Sequence, residues 1–382
     1  MLIIRRLRMV KKKICFIMTD AVSYKMLCRD QFEYFKDISN LEITLVSGGS
    51  KESIRELINR NVGEVYNAKL VRRPSLFKDI KSLIYLTIFV YNNEFDLIIY
   101  STPKALLLGS IASYITRQEN SLAIIQGRAY ENFVGKKKLL YQLLDKLSLA
   151  TSRNVVFVSK SLESKYLDEK LVNPKKSHVL GCGSFNGVNI EKFTKDKKYD
   201  RNSEHFKIII AGRICYDKGI VDLAEVLSYI SNPNIIFQLV GPIEDTKSKC
   251  ILDKIVSQYS NVEYIPYTDS IENFFKIADL HLFLTHREGF GNVAIEAASC
   301  GIPTFAYDVV GVKDSVKEGV SGKKFAFKDF KAIASAIDDA STDPNFSTKY
   351  PNARDWVIEN FEQRKVWDNY LSFYNSVMKN KN

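Results

Sequence analysis

The sequence predicts an α/β protein made of two doubly wound, Rossmann-like parallel-sheet domains. Three observations predict it. Short β-branched and aliphatic runs alternate with helical stretches through both halves of the chain. Around residues 181–200 the chain turns glycine-rich and then highly charged (Lys195, Asp196, Lys197, Lys198), and the alternation then restarts. At 382 residues the chain also exceeds what one ordinary core buries. Alternating βα units argue for a parallel sheet covered on both faces.

In the first half, Lys13–Thr19, Glu42–Ser47, Leu97–Tyr100, Ala123–Gln126 and Val155–Ser159 read as buried strands. Tyr24–Lys36 and Lys138–Leu149 read as helices between them. After the break come strand Phe206–Ala211, helix Gly219–Ile230, strand Ile235–Val240 and helix Lys247–Tyr259. Strand Leu280–Leu284, helix Asn292–Cys300 and strand Thr304–Ala306 follow. Trp356–Met378 carries apolar residues at helical spacing. These elements suggest one domain over 1–195, a second over 196–360, and a closing helix over 361–382. Ligands of open α/β sheets bind at the carboxyl ends of the strands, so the site is expected in a cleft between the two sheets.

Composition excludes several classes. The opening Met1–Val10 stretch carries Arg5, Arg6 and Arg8 but neither a long apolar run nor a small-residue cleavage site. It reads as a basic anchor or as extra residues ahead of a start at Met9. No run reaches the ~18 apolar residues of a membrane span. The nearest, Ile80–Tyr91, carries Lys81 and suits an amphipathic or buried helix. Six scattered cysteines without a Cys-x-x-Cys pair point to neither zinc nor disulfides and fit a reducing cytoplasm. Residues 1–200 hold 34 lysines and arginines against 20 acids, while the remainder holds 21 against 24. The basic half suits an anionic membrane or a phosphate-bearing substrate, or reflects a lysine-rich proteome. Nucleic acid is not expected, since no binding signature for it is visible.

Two clusters carry the chemistry. Glu288-Gly289-Phe290-Gly291-Asn292 leads from a strand into a helix bearing Glu296. The glycines allow a ligand close to the backbone, and the amides opening a helix suit a phosphate. An ordinary helix start with a buried glutamate has the same pattern. The second cluster, Gly212-Arg213-Ile214-Cys215-Tyr216-Asp217-Lys218-Gly219, sends two cations out from a strand end, a pairing suited to a diphosphate. A salt-bridged βα loop is the plain alternative.

Together, in this order, the clusters resemble the retaining glycosyltransferases of family four, whose Gly-Arg-x4-Lys-Gly precedes a Glu-x7-Glu in Glu-Gly-Phe-Gly. Leu239-Val240-Gly241-Pro242, Ala278-Asp279-Leu280 and Gly301-Ile302-Pro303 also stand in family order. Ser101–Ala105, Gln126–Glu131, Val158–Leu162 and Gly183–Asn189 resemble, more loosely, the subgroup that builds bacterial capsule, O-antigen or exopolysaccharide. The resemblance implies the GT-B fold, with the acceptor bound by the 1–195 domain, a nucleotide-diphosphate sugar donor bound by the 196–360 domain, and the closing helix crossing back to the first domain; a helix packed on its own domain is the alternative. It implies that Arg213 and Lys218 hold the diphosphate with amides at Gly289–Asn292, that Glu296 holds the ribose, and that Glu288 touches the donor sugar. Tyr267 stands in the loop expected beside the base, with uracil favoured.

Many relatives carry a histidine near the reacting centre of the first domain. Here His178, His205, His281 and His286 lie elsewhere, and Gln126 or Arg128 occupies that stretch. Arg128 becomes a candidate for catalysis or acceptor contact, and Lys104 a second acceptor-side candidate. Neither a metal nor another cofactor is expected, since no Asp-x-Asp pair is present. The expected activity is retaining, metal-independent hexosyl transfer to a lipid-diphosphate-linked glycan, by a cytoplasmic protein peripheral to the inner membrane face. A transferase for a soluble acceptor, or an inactive nucleotide-sugar-binding scaffold, are the alternatives. Lack of a Gly-x-Gly-x-x-Gly after the first strand disfavours a dehydrogenase.

Overall fold

The computed structural model describes residues 11–195, apart from 129 and 132, and residues 205–379. The basic opening stretch, the linker residues beyond Lys195, and Ala129 of the Gln126–Glu131 stretch lie outside the described residues. Contacts divide the chain into two compact units. The first runs to Phe157 and adds Tyr166–Leu180 and the chain from Trp367 onward; the second comprises Val158–Lys165 and Gly181–Val366. Gly181–Lys195 thus belongs with the second unit, ahead of the break suggested by linker composition.

In the first unit the order is β1 (Lys12–Asp20), α1 (Val22–Cys28), α2 (Gln31–Ile38), β2 (Leu41–Gly48), α3 (Lys51–Asn59), β3 (Glu64–Asn67) and α4 (Leu76–Asn92). There follow β4 (Leu97–Ser101), α5 (Pro103–Ile115), β5 (Ser121–Ile125), α6 (Gly135–Thr151), β6 (Asn154–Phe157), α7 (Lys160–Asp168) and β7 (Ser177–Val179). The seven strands are parallel in the order β3-β2-β1-β4-β5-β6-β7. β1 and β4 are aliphatic on both faces because helices cover both, and Ile14, Ile17, Leu97 and Ile98 are fully buried.

One expected helix is two. The Tyr24–Lys36 periodicity breaks at Arg29, whose φ of 44° no helix accommodates. The carbonyl freed there is taken by the guanidinium of Arg60, which also donates to Glu33 at 2.9 and 2.7 Å.

The second unit runs β8 (Phe206–Ala211), α8 (Ile220–Leu227), β9 (Ile235–Val240), α9 (Thr246–Gln258), β10 (Val262–Ile265), α10 (Glu272–Lys276) and β11 (Leu280–Phe283). It continues with α11 (Asn292–Ser299), β12 (Thr304–Tyr307), α12 (Val312–Ser315), β13 (Gly322–Phe325), α13 (Phe330–Thr342) and α14 (Ala353–Phe361). Its six parallel strands are ordered β10-β9-β8-β11-β12-β13 around a core including Ile208, Phe237, Leu282 and Ile333. The last helix, α15 (Gln363–Lys379), passes from the second unit to the first at Trp367.

In each sheet the strand order reverses once, between β1 and β4 and between β8 and β11. Crossovers depart in opposite directions there, which leaves a crevice at the strand ends. Both chemical clusters of the sequence leave the strands flanking the second of these points.

Candidate active site

β8 ends at Ala211, and the chain makes one 3-10 turn, Tyr216–Lys218, before α8 begins. The turn is closed by Gly219 at φ 82°, where a Cβ would stand 2.2 Å from the carbonyl oxygen of Leu284. Only glycine lets the loops after β8 and β11 come this close. A backbone bond and two side-chain pairs complete the contact. The Asp217 carbonyl accepts from the His286 N–H at 2.9 Å, and its carboxylate takes Arg287 at 2.5 Å. The Lys218 ammonium donates to the carboxylate of Glu288.

Past Glu288 the chain enters α11 through Gly291, at φ 90°. The Gly289 carbonyl accepts from Ser159 Oγ at 2.6 Å, and Asn292 Oδ1 from Ser184 Oγ at 2.8 Å. Phe290 is buried, with its ring 5.1 Å from that of Phe361. A ligand would therefore meet its backbone and not its ring. Glu296 is 4% exposed, on the second turn of α11. Arg213 is 55% exposed and stands 2.7 Å from Glu244, itself 46% exposed. Such a surface pair contributes little to stability and exchanges readily for a stronger anion. Tyr267 lies apart, beyond the edge strand β10, its exposed hydroxyl 2.7 Å from Asp269. That bond raises its pKa above the ordinary tyrosine value.

The strand order thus brings Arg213, Lys218, Glu288 and the start of α11 to one region of the second unit. Two cations beside a helix start can hold a diphosphate, with a carboxylate for sugar hydroxyls. Sequence reading missed the Asp217–Arg287 pair and Ser159, because their partners lie far along the chain. It also missed a buried triad in which Asp222 accepts from Tyr307 at 2.9 Å and stands 2.8 Å from His286 Nε2. Burial drives His281 down to about 3, and its Nδ1 stands 3.1 Å from Thr304 Oγ1. It is a neutral core residue of β11. Among the described residues no three His, Cys, Asp or Glu gather as metal ligands would.

The first unit holds the remaining candidates. Gln126 follows β5 and donates to Ser101 Oγ at 3.1 Å. Lys104, in the first turn of α5, donates to Asp79 and to the Arg73 carbonyl, each at 2.7 Å. Arg128 is 5% exposed and forks onto Glu169 at 3.1 and 2.7 Å, with Nε 3.1 Å from Glu131 and the rings of Tyr130 and Tyr166 against it. Burial alone would lower its pKa, but Glu169 together with Tyr130, Glu131 and Tyr166 more than offsets this, and the pKa is raised. A ligand reaching Arg128 would have to displace Glu169.

Residues 191–358 match the family described as glycosyl transferases group 1. Over 381 residues the chain is 31% identical to the capsular polysaccharide biosynthesis glycosyltransferase CapM of Staphylococcus aureus, covering 97% of this chain and 99% of that one. The chain is a group 1 glycosyl transferase. This transferase is also 24% identical to an Escherichia coli UDP-Gal:alpha-D-GlcNAc-diphosphoundecaprenol alpha-1,3-galactosyltransferase, over 87% of this chain and 89% of that one. Among solved structures, the transferase superposes on Anabaena HepE in complex with UDP and glucose with a TM-score of 0.78 at 18% identity, covering 96% and 100% of the two chains. The GT-B fold expected of the transferase is the fold it has.

Proposed function

We propose that this glycosyltransferase moves a hexosyl group from a UDP-sugar to a lipid-diphosphate-linked oligosaccharide, with retention, in the assembly of a bacterial surface polysaccharide such as capsule or O-antigen. The observation that carries the reading is the convergence of Arg213, the Lys218–Glu288 pair and the start of α11 where the second sheet reverses its strand order. Support also comes from relatives described as acting in capsule synthesis and on a diphosphoundecaprenol acceptor, and from the UDP bound by HepE.

Arg213 and Lys218 hold the donor diphosphate, helped by backbone amides at Gly289–Asn292. Glu296 takes the ribose, Tyr267 borders the uracil, and Glu288 accepts from hydroxyls of the donor sugar. As the bond from C1 to the diphosphate breaks, an acceptor oxygen bonds C1 on the same face, and its proton passes to a leaving phosphate oxygen. The negative charge growing on the diphosphate is what the two cations stabilise, an electrostatic contribution available without a metal. Gln126 and Lys104 face the acceptor side. Arg128, bound to Glu169, positions the segment that carries Gln126 and does not touch the substrate. The enzyme works at the inner face of the cytoplasmic membrane as a peripheral protein.

Thermal unfolding with UDP, GDP and ADP, for wild type and Glu296→Ala, tests the donor site. A ligand at 100 times its dissociation constant stabilises by about 2.7 kcal/mol. A shift with UDP that shrinks in the variant supports the reading, and no shift with any nucleotide overturns it. Transfer to a diphosphate-linked acceptor, run with and without a chelator and with the product's anomeric configuration read by NMR, tests the rest.

A further inference from the structure

α4 packs on α5, and α5 on α6. All three helices belong to crossovers running the same way along the first sheet, so right-handed connections put them in one layer on one face. In α4 the buried positions are Ser82, Leu86 and Val90. The opposite stripe of a solvated helix should be polar. Here it is Phe77, Ile80, Ile84 and Ile88, each at least 50% exposed. α6 repeats the arrangement, with Leu139, Leu143 and Leu147 lying outward at 44–57% exposure. Isolated exposed apolar residues need no explanation, but two helix-long stripes in one layer do.

Charge names the occupant. The charged residues of α4 are Lys78, Asp79 and Lys81, and those of α6 are Lys136, Lys137, Lys138, Asp145 and Lys146. Both acids are engaged within the unit: Asp79 accepts from Lys104, and Asp145 accepts from the Tyr166 hydroxyl at 2.6 Å. The charges left beside the apolar stripes are all ammonium groups. A second copy of the chain placed on this face would set lysine against lysine, which a symmetric interface avoids. No helix among the described residues is long and apolar enough to cross a membrane.

We infer that the α4–α6 layer is a docking surface for an anionic lipid bilayer. The two apolar stripes enter the boundary between headgroups and acyl chains, and the lysines lie at headgroup level with their stems along the apolar surface. This deepens the reading above, on which it rests for placing the acceptor in a membrane.

The experiment is co-sedimentation of the full chain with phosphatidylcholine vesicles, with and without phosphatidylglycerol. Wild type is compared with the double variant Ile84→Glu/Leu143→Glu and with the control Ile58→Glu, which alters an exposed apolar residue of α3. Wild type and control should bind the phosphatidylglycerol vesicles, and the double variant should bind about tenfold more weakly. The UDP melting shift, measured alongside, should be the same in all three. Equal binding by wild type and double variant overturns the inference, as does wild type that ignores phosphatidylglycerol vesicles. A lipid-free dimer dissolved by the same substitutions also overturns it, in favour of an interface between copies. Transfer to a water-soluble, short-chain diphosphate acceptor separates the two ideas. If no form of the enzyme transfers while vesicle binding follows the expected order, the acceptor reading fails and the docking surface stands.

Discussion

Lys218 and Glu288 are 70 residues apart in sequence, yet the ammonium of one donates to the carboxylate of the other. The pair bridges the loops after β8 and β11 and sets both groups at the ends of adjacent strands. Lys218→Ala leaves Glu288 without its cation and, on the proposed reading, removes a contact to the donor diphosphate. Transfer is expected to fall by about 10²–10³, as for loss of one preorganised charge donor. Lys218→Arg should recover part of it. An unchanged kcat in Lys218→Ala would remove Lys218 from the chemistry.

Gly219→Ala should destabilise the second unit. The substitution combines a φ of 82° with a Cβ 2.2 Å from the Leu284 carbonyl. The expected loss is of order 1–3 kcal/mol, measured by urea denaturation, together with a weaker UDP melting shift as Lys218 moves. A variant as stable as wild type would show that the two loops separate without cost.

Arg128→Ala should weaken the fold and leave nucleotide binding alone. Removing one partner of a desolvated pair strands the other, and the expected cost is about 3 kcal/mol. Replacing both partners, as Arg128→Met/Glu169→Leu, should restore much of the stability and part of the transfer activity. A double variant that is stable but inert would instead return Arg128 to direct contact with substrate.

His281 predicts an acid limb. In the folded chain it stays neutral down to about pH 3, whereas unfolded it takes up a proton near its ordinary value of about 6.5. Between these values the unfolded state binds the extra proton, so the stability His281 allows above pH 6.5 is lost as pH falls toward 3. Denaturation midpoints against pH should slope less steeply across this window in His281→Gln. The same slope in both proteins would assign the acid limb to other groups.

Most of the interior strands were legible because a parallel strand covered on both faces must be apolar throughout. Ile14–Met18 and Ile208–Ile210 announce themselves this way. The edge strands β3 and β13 do not. The first is half-exposed over Glu64–Asn67, and the second reads Gly-Lys-Lys-Phe, so neither has the length or pattern that marks a strand. The break at Arg29 was invisible because the partner of its freed carbonyl, Arg60, lies 31 residues on. At the site, Lys218 and Glu288 were legible from their spacing and order. What holds Arg128 was not: Glu169 stands 41 residues away with nothing local to mark it.

α15 has a consequence for how the chain is made. Tyr374 is fully buried in the first unit, with its ring edge-on to Phe16 at 5.9 Å and to Phe35 at 6.0 Å. Tyr370 is buried beside it, and Trp367 of the same helix is buried with its ring 5.2 Å from that of Tyr34. During synthesis a domain ordinarily folds as it emerges, the amino-terminal one first. Here the aromatic residues that fill one side of the first unit's core follow the whole of the second unit in the chain, so they are translated only after it. Until they arrive, Phe16 and Phe35 lack their Tyr374 contacts, and the first unit cannot complete its packing before the second has been synthesised.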